Sequence, residues 1–186
     1  MASDTGEDRD LIEHLTSEHR QVEQMWAELQ EAHATGGPTQ EELGRQIVKA
    51  LSQHDALELQ LLYPALARAG REELAEHAKE EHAEVRRLLN EVDGKDPVDE
   101  AVFTKLAEIL TNVDAHVAEE EGTMFPYLRA NLSSQELIDL GRRSEQAEKL
   151  APTHPHPTTP DGKVGATVAG GMAGLVDKAK DAIKGR

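Results

Sequence analysis

The sequence predicts an all-α fold: an up-down-up-down four-helix bundle built from two repeated helical hairpins, with a short fifth helix and a Pro/Gly-rich tail. Three observations point there. Ala, Leu, Glu and Gln dominate, aromatic residues make up 3%, and alternating Val/Ile runs are absent, which is the composition of long helices and not of strands. Gly and Pro cut the first 150 residues into long apolar-periodic stretches. Finally, the stretches repeat in pairs, a sign of duplicated supersecondary units.

The first helix is expected from about Asp8 to His33, stopped by Gly36-Gly37-Pro38. The second opens at Thr39, with Glu42 three residues on as a capping box, and runs towards Gly70. The third covers about Glu72 to Asp93 and ends at Gly94. The fourth starts with Asp96 as N-cap and Pro97 at the first helical position, and continues to about Ala130. A fifth, shorter helix is capped by Ser133 with Glu136 three residues later. These elements place one domain at residues 8–150. Residues 151–186 follow as a separate tail: 152–160 hold half of the prolines in the chain, which reads as a stiff linker, and a short amphipathic segment comes after. A partner for this tail is not identifiable from its residues.

The repeat carries the chemistry. His14-x3-Glu18-His19 recurs as His77-x3-Glu81-His82, and His54-x3-Glu58 recurs as His116-x3-Glu120. Tyr63-Pro64 and Phe125-Pro126 follow at matching distances, and the paired motifs lie 35 and 34 residues apart (His19 to His54, His82 to His116). Each helix has an apolar seam at steps of three and four. The first gives Ile12, Leu15, His19, Val22, Trp26 and Leu29; the second gives Ile47, Leu51, His54, Glu58, Leu61 and Ala65. The third gives Ala78, His82, Val85, Leu89 and Val92; the fourth gives Val102, Leu106, Ile109, Val113, His116, Glu120, Thr123 and Tyr127. Every helix therefore puts a His where an aliphatic residue is due, and two add a Glu one turn later, about 40° round the same face.

Four imidazoles and two carboxylates at core depth are too costly to bury unpaired, and a metal pair removes that cost. Mixed imidazole and carboxylate donors without thiolate suit iron, manganese or zinc. The phase argument sets His14 and His77 about 140° from the seam, on the flank, and turns Glu119 and Glu121 away from it. Trp26 reads as core packing, His33 as exposed, His154 and His156 as part of a solvated linker, and Tyr63 as lying beside a kink imposed by Pro64.

Composition excludes several functions. There is no cysteine, so disulfides, thiol catalysis and iron–sulfur clusters are out. Formal net charge is −16, and residues 1–150 alone carry −18, which repels phosphate backbones and makes nucleic acid an unexpected partner. No apolar run is long enough for a membrane span and the N-terminus has no signal-peptide pattern, so a cytoplasmic location is expected.

Glu-His on the first and third helices, with His-x3-Glu followed by Tyr-Pro or Phe-Pro on the second and fourth, resembles the hemerythrin HHE family over roughly residues 8–130. The resemblance implies a non-haem, oxo- or carboxylate-bridged centre of two iron ions. His19, His54, His82 and His116 would be terminal ligands, and Glu58 and Glu120 bridges; His14, Tyr63, His77 and Glu121 are secondary candidates. Two departures bear on activity. Oxygen-carrying members have a second in-phase His on the third helix, where Ala78 stands here, and an Asp five residues after the fourth-helix His, where Glu121 stands. With both glutamates bridging, each iron keeps an open position, which suits peroxide chemistry better than oxygen carriage. The expected partners are small molecules: hydrogen peroxide in a catalase-like reaction first, then nitric oxide, then dioxygen. Two other classes compete: a module that senses or binds oxygen, nitric oxide or iron without turnover, and a bundle that its metal merely stabilises.

Overall fold

A computed structural model describes residues 9–155, and among them the chain is all-helical. Helix α1 (Leu11–Thr35) begins at a capping box in which the Asp10 side chain accepts from the Glu13 N–H and Glu13 accepts from the Asp10 N–H. It stops at Gly36, whose φ of +69° is the left-handed conformation that favours glycine. Helix α2 (Gln40–Leu57) starts differently from the expected capping box: Thr39 has helical dihedrals and makes no side-chain cap, while Glu42 turns to Arg45 and Gln46. Helix α4 (Glu72–Val92) fits the third stretch.

Helix α5 (Glu100–Glu119) starts three residues later than Asp96 and Pro97 suggest. Asp96 caps a turn through the Val98 N–H, and Asp99 is the N-cap, accepting from Ala101. Pro97 instead packs on Gly44, where an added Cβ would come within 2.8 Å of it. Helix α7 (Ser134–Glu148) has the Ser133–Glu136 capping box expected of it. It lies along α1, and Gly141 permits this: a Cβ there would sit 2.1 Å from the Arg9 carbonyl oxygen.

Both His-x3-Glu helices continue through a π turn, Glu58–Leu62 and Glu120–Met124, into short helices α3 (Tyr63–Arg68) and α6 (Phe125–Asn131). Each proline is the second residue after its π turn. Pro64 and Pro126 have no N–H to donate, and the wider turn lets Tyr63 and Phe125 donate instead to Glu58 and Glu120, five residues back. The extra residue shifts the register of the fourth stretch. Beyond Glu120 the buried residues are Met124, Phe125 and Leu128, whereas Thr123 is exposed and Tyr127 half-buried.

The core is two apolar clusters. One gathers Leu11, Leu15, Leu62, Leu66, Ala78, Phe125 and Leu128; the other gathers Val22, Leu29, Ile47, Leu51, Leu89, Leu106 and Ile109. On every bundle helix the seam His falls between the two sets. A polar layer therefore divides the core. Trp26 is half-buried against Phe103, while Met25 beside it is buried. At the other end of the chain, Ala151, Pro152, Thr153 and Pro155 are buried, and His154 is half-buried with Nδ1 3.0 Å from Asp93, so these residues are not a solvated linker. His156 lies outside the described residues.

Candidate metal centre

The six seam residues meet in the polar layer. Glu58 and Glu120 are fully buried, and His19, His54, His82 and His116 are each less than a tenth exposed. Each carboxylate reaches both hairpins. Glu58 places Oε1 3.2 Å from His54 Nε2 and Oε2 3.2 Å from His82 Nε2. Glu120 places Oε1 3.1 Å from His116 Nε2 and Oε2 3.3 Å from His19 Nε2. Two groups of donors result: His19, His54, Glu58 and Glu120, and Glu58, His82, His116 and Glu120. Each group is compact enough to hold one cation, and the two glutamates belong to both.

The outward nitrogen of every imidazole is also occupied by a carboxylate. Nδ1 of His19 meets Glu121 at 2.9 Å, that of His54 meets Glu18 at 2.8 Å, that of His82 meets Asp55 at 2.8 Å, and that of His116 meets Glu81 at 2.8 Å. With Nδ1–H donating outward, each ring presents the Nε2 lone pair to the centre. Arg20 holds Glu121 and the buried Arg86 holds Asp55 at 2.7 Å. Glu18 and Glu81 belong to the recurring His-x3-Glu-His motif, so the repeat did carry a signal for them. Asp55 has no counterpart in the repeat, since the matching residue is Val117; nothing in the sequence singled it out.

The secondary candidates separate. Tyr63 is fully buried, and its hydroxyl lies 2.8 Å from His82 Nε2, 3.3 Å from His116 Nε2 and 3.2 Å from Glu58 Oε2. The matching Phe125 stacks on His19 and offers no polar atom, so the two halves of the centre are unequal. Glu121 reaches the centre only through His19 Nδ1. His14 lies on the flank of the layer, and that flank is covered: it is buried, 3.4 Å from Glu18 and 4.0 Å from Glu148 of α7, because α7 folds back over α1. His77 is exposed and lies outside the layer. His33 is half-buried, stacked on Phe103 with ring centroids 3.7 Å apart and bonded to Gln40 and Glu100.

The donor set fits a metal pair. His19 Nε2, Glu58 Oε1 and Glu120 Oε2, all in one group, are buried without a hydrogen-bond partner. In the other group His82 and His116 bring their Nε2 atoms to 2.8 Å, two acceptors face to face if neither carries a proton there. Cations answer both costs. Without metal, protons take their place. Burial acts to lower the His116 pKa, but Glu120, Glu58 and Glu81 outweigh it and raise the group to about 9. His54 also stands well above its usual value, where the charge of Glu58 and the bond to Glu18 overcome burial. Burial would raise Glu120, yet His116 and His19 hold it well below the carboxylate range. The Tyr63 phenol is pushed up by burial and by the Glu58 and Glu120 charges, so it keeps its proton.

The hemerythrin HHE cation binding domain model matches residues 10–128. An uncharacterised hemerythrin-like protein of Schizosaccharomyces pombe is 28% identical over 173 residues, covering 91% of this chain and 84% of that protein. A protein named DNA nickase from a Nostoc species is 28% identical over 130 residues, covering 70% of this chain but only 36% of its own length. No solved structure matches.

Proposed function

Because the chain belongs to the hemerythrin HHE cation-binding family, we propose that His19, His54, His82, His116, Glu58 and Glu120 hold two iron ions that react with small oxidants or gases, hydrogen peroxide first and nitric oxide second. One observation carries the reading: two donor groups share both carboxylates, and the cavity beside them is only about 20 Å³. That space suits a molecule about the size of water. Its walls are His19, His54, Val22, Leu51, Val113 and Val117, with Glu18, Glu23 and Asp114.

Bound in the layer, an iron pair supplies two-electron redox chemistry. The chain's own residues define where it acts. Tyr63 closes the His82–His116 side with its hydroxyl, so a small molecule is directed to the His19–His54 side, where the cavity lies. There Val22, Val113 and Val117 give the pocket an apolar wall, Phe125 stacks on His19, and Glu18 holds His54 with Nε2 inward. Tyr63 keeps a proton at its phenol oxygen, within hydrogen-bond distance of Glu58 Oε2. Oxygen carriage is the weakest option. Ala78 is fully buried in an apolar cluster and supplies no donor, and the Glu121 carboxylate faces His19 Nδ1 and Arg20. Nicking of DNA is not carried over from the Nostoc protein, since a chain of net charge −16 offers phosphate little attraction.

Metal analysis and an oxygen electrode test the proposal together. About two irons per chain are expected from the six donors, with oxygen released from added peroxide faster than by equal free iron. Zinc alone at about one per chain would remove the di-iron reading. Two irons with no peroxide turnover and a stable, reversible oxygen adduct would move the protein to the carrier or sensor class.

A further inference from the structure

A second group of possible metal donors lies on the surface of the second hairpin. His77 and Glu81 on α4 and Glu119 at the end of α5 bring one donor atom each within 4.8 Å of one another. His77 is exposed, with Nε2 3.5 Å from Glu81 Oε1, and both glutamates are half-buried. The group stands out from its neighbours. On the same two helices Glu76, Glu84, Glu91 and Glu108 each pair with a Lys or Arg. Among the described residues neither Glu81 nor Glu119 has such a partner.

A second, independent observation concerns the other oxygen of Glu81, which accepts from His116 Nδ1 at 2.8 Å. One carboxylate thus spans the surface group and the buried layer. The first hairpin shows what a closed version looks like: the matching His14–Glu18 pair lies under α7, with Glu148 in the third position at 4.0 Å from His14. In the second hairpin no helix among the described residues covers the pair, and Glu119 occupies the comparable place.

We propose that His77, Glu81 and Glu119 form a solvent-facing site for a divalent cation of the Fe2+ or Mn2+ type, separate from the buried pair and joined to it through Glu81. One imidazole and two carboxylates on a half-exposed surface leave room for water to complete the coordination of such an ion. Being open, the site exchanges freely with solvent, and a cation resting there is one carboxylate away from His116.

The test uses protein isolated with its iron, titrated with Mn2+ while free Mn2+ is followed by its EPR signal. His77→Ala and Glu119→Gln leave the six buried residues and Glu81 intact, and circular dichroism checks that both variants keep their helix content. The expected result is a Mn2+ site in the wild type that either substitution weakens by roughly tenfold or more, as loss of a metal-site group does, with iron content unchanged. Equal Mn2+ binding by wild type and both variants overturns the proposal. Iron content, read on the same samples, reports on the buried centre separately. Protein without iron but with His77-dependent Mn2+ binding would count against the proposed function alone.

Discussion

The Glu18 carboxylate on α1 meets Nδ1 of His54 on α2 at 2.8 Å, and Glu81 on α4 makes the same contact with His116 on α5, also at 2.8 Å. Each glutamate stands one residue before a seam His but serves the imidazole of the neighbouring helix. The Glu-His dipeptide therefore works in two directions: the His points into the layer, and the Glu crosses to fix the ring of its hairpin partner.

Removing that cross-helix contact is expected to weaken metal binding without unfolding the bundle. Glu18→Ala frees the His54 ring and its tautomer, which at other metal sites costs about 10–100-fold in affinity. Competition with a chelator measures this. Glu18→Gln keeps an acceptor for the His54 N–H and should lose less. Equal losses in the two variants would mean that charge, not orientation, is the contribution.

Substitutions within the layer should strip iron. His54→Ala, Glu58→Ala, His116→Ala and Glu120→Ala each remove a donor and leave buried groups uncompensated, so metal content falls and the iron-dependent part of the melting temperature disappears. His33→Ala is the contrast. Losing its stack on Phe103 and its bonds to Gln40 and Glu100 should cost about 1–2 kcal/mol, since the ring is packed and bonded, with iron unchanged. His14→Ala should loosen α7 and leave iron in place; iron loss equal to that of His19→Ala would make His14 part of the centre.

The inward phase of the six central residues was legible because four helices carry the same polar intrusion at the same place in a three-and-four pattern. What followed Glu58 and Glu120 was not. A regular helix would carry the seam to Thr123 and Tyr127, but the π turn adds a residue and buries Met124, Phe125 and Leu128 instead. Pro64 and Pro126 marked a disturbance without saying that the helix would widen and continue. His14 lies off the layer as its phase predicts, but its burial was not legible. Its own helix face does point away from the layer, and only the return of α7 over α1, allowed by Gly141, buries it. Periodicity within one helix carries no information on such a covering. The burial of residues 151–155 was hidden by their proline content in the same way.

That burial bears on shortened chains. A chain ending at Leu150 loses buried Ala151 and Thr153 and the His154–Asp93 contact, whereas one ending at Pro155 retains these residues and that contact. The shorter chain should be less stable by about 1–3 kcal/mol, the range for losing a few buried groups, with iron content the same in both. Thermal melts of the pair decide it. Equal melting temperatures would mean that these residues contribute nothing to the fold.

Stability and metal binding should respond to pH with opposite signs. In the metal-free chain His116 is raised from 6.5 to about 9, so its contribution is fully present below pH 6.5 and lost as pH rises through about 9. Burial would raise Glu18, but its bonds to His14 and His54 lower it from 4.5 to about 2; its contribution is present above pH 4.5 and lost as pH falls through about 2. For these two groups the metal-free bundle is most stable between about pH 4.5 and 6.5. Iron must displace the His116 proton, so its affinity should instead rise from pH 6.5 towards 9. Melts with and without chelator across that range show whether the two curves diverge. Parallel curves would mean that no proton leaves the layer when iron enters.

The final prediction concerns the inequality of the two halves of the centre. Tyr63 puts a hydroxyl against His82 and His116, where the repeat puts Phe125 against His19. Tyr63→Phe makes the halves alike while conserving the ring, so the bundle should fold with a loss of about 1 kcal/mol for the missing hydrogen bonds. Both irons should stay, since the six donors are untouched. The vacated space adjoins the His82–His116 side, which the phenol otherwise occupies. Azide, a small linear anion, should therefore bind more tightly to the variant than to the wild type, by roughly tenfold if displacing the hydroxyl costs about 1.4 kcal/mol. Optical titration of the iron-loaded proteins measures this. Unchanged azide affinity with full iron would show that small molecules reach only the His19–His54 side. Loss of half the iron would make the Tyr63 oxygen a seventh donor, and the second half of the centre would then be closed by a ligand and not by a neighbour.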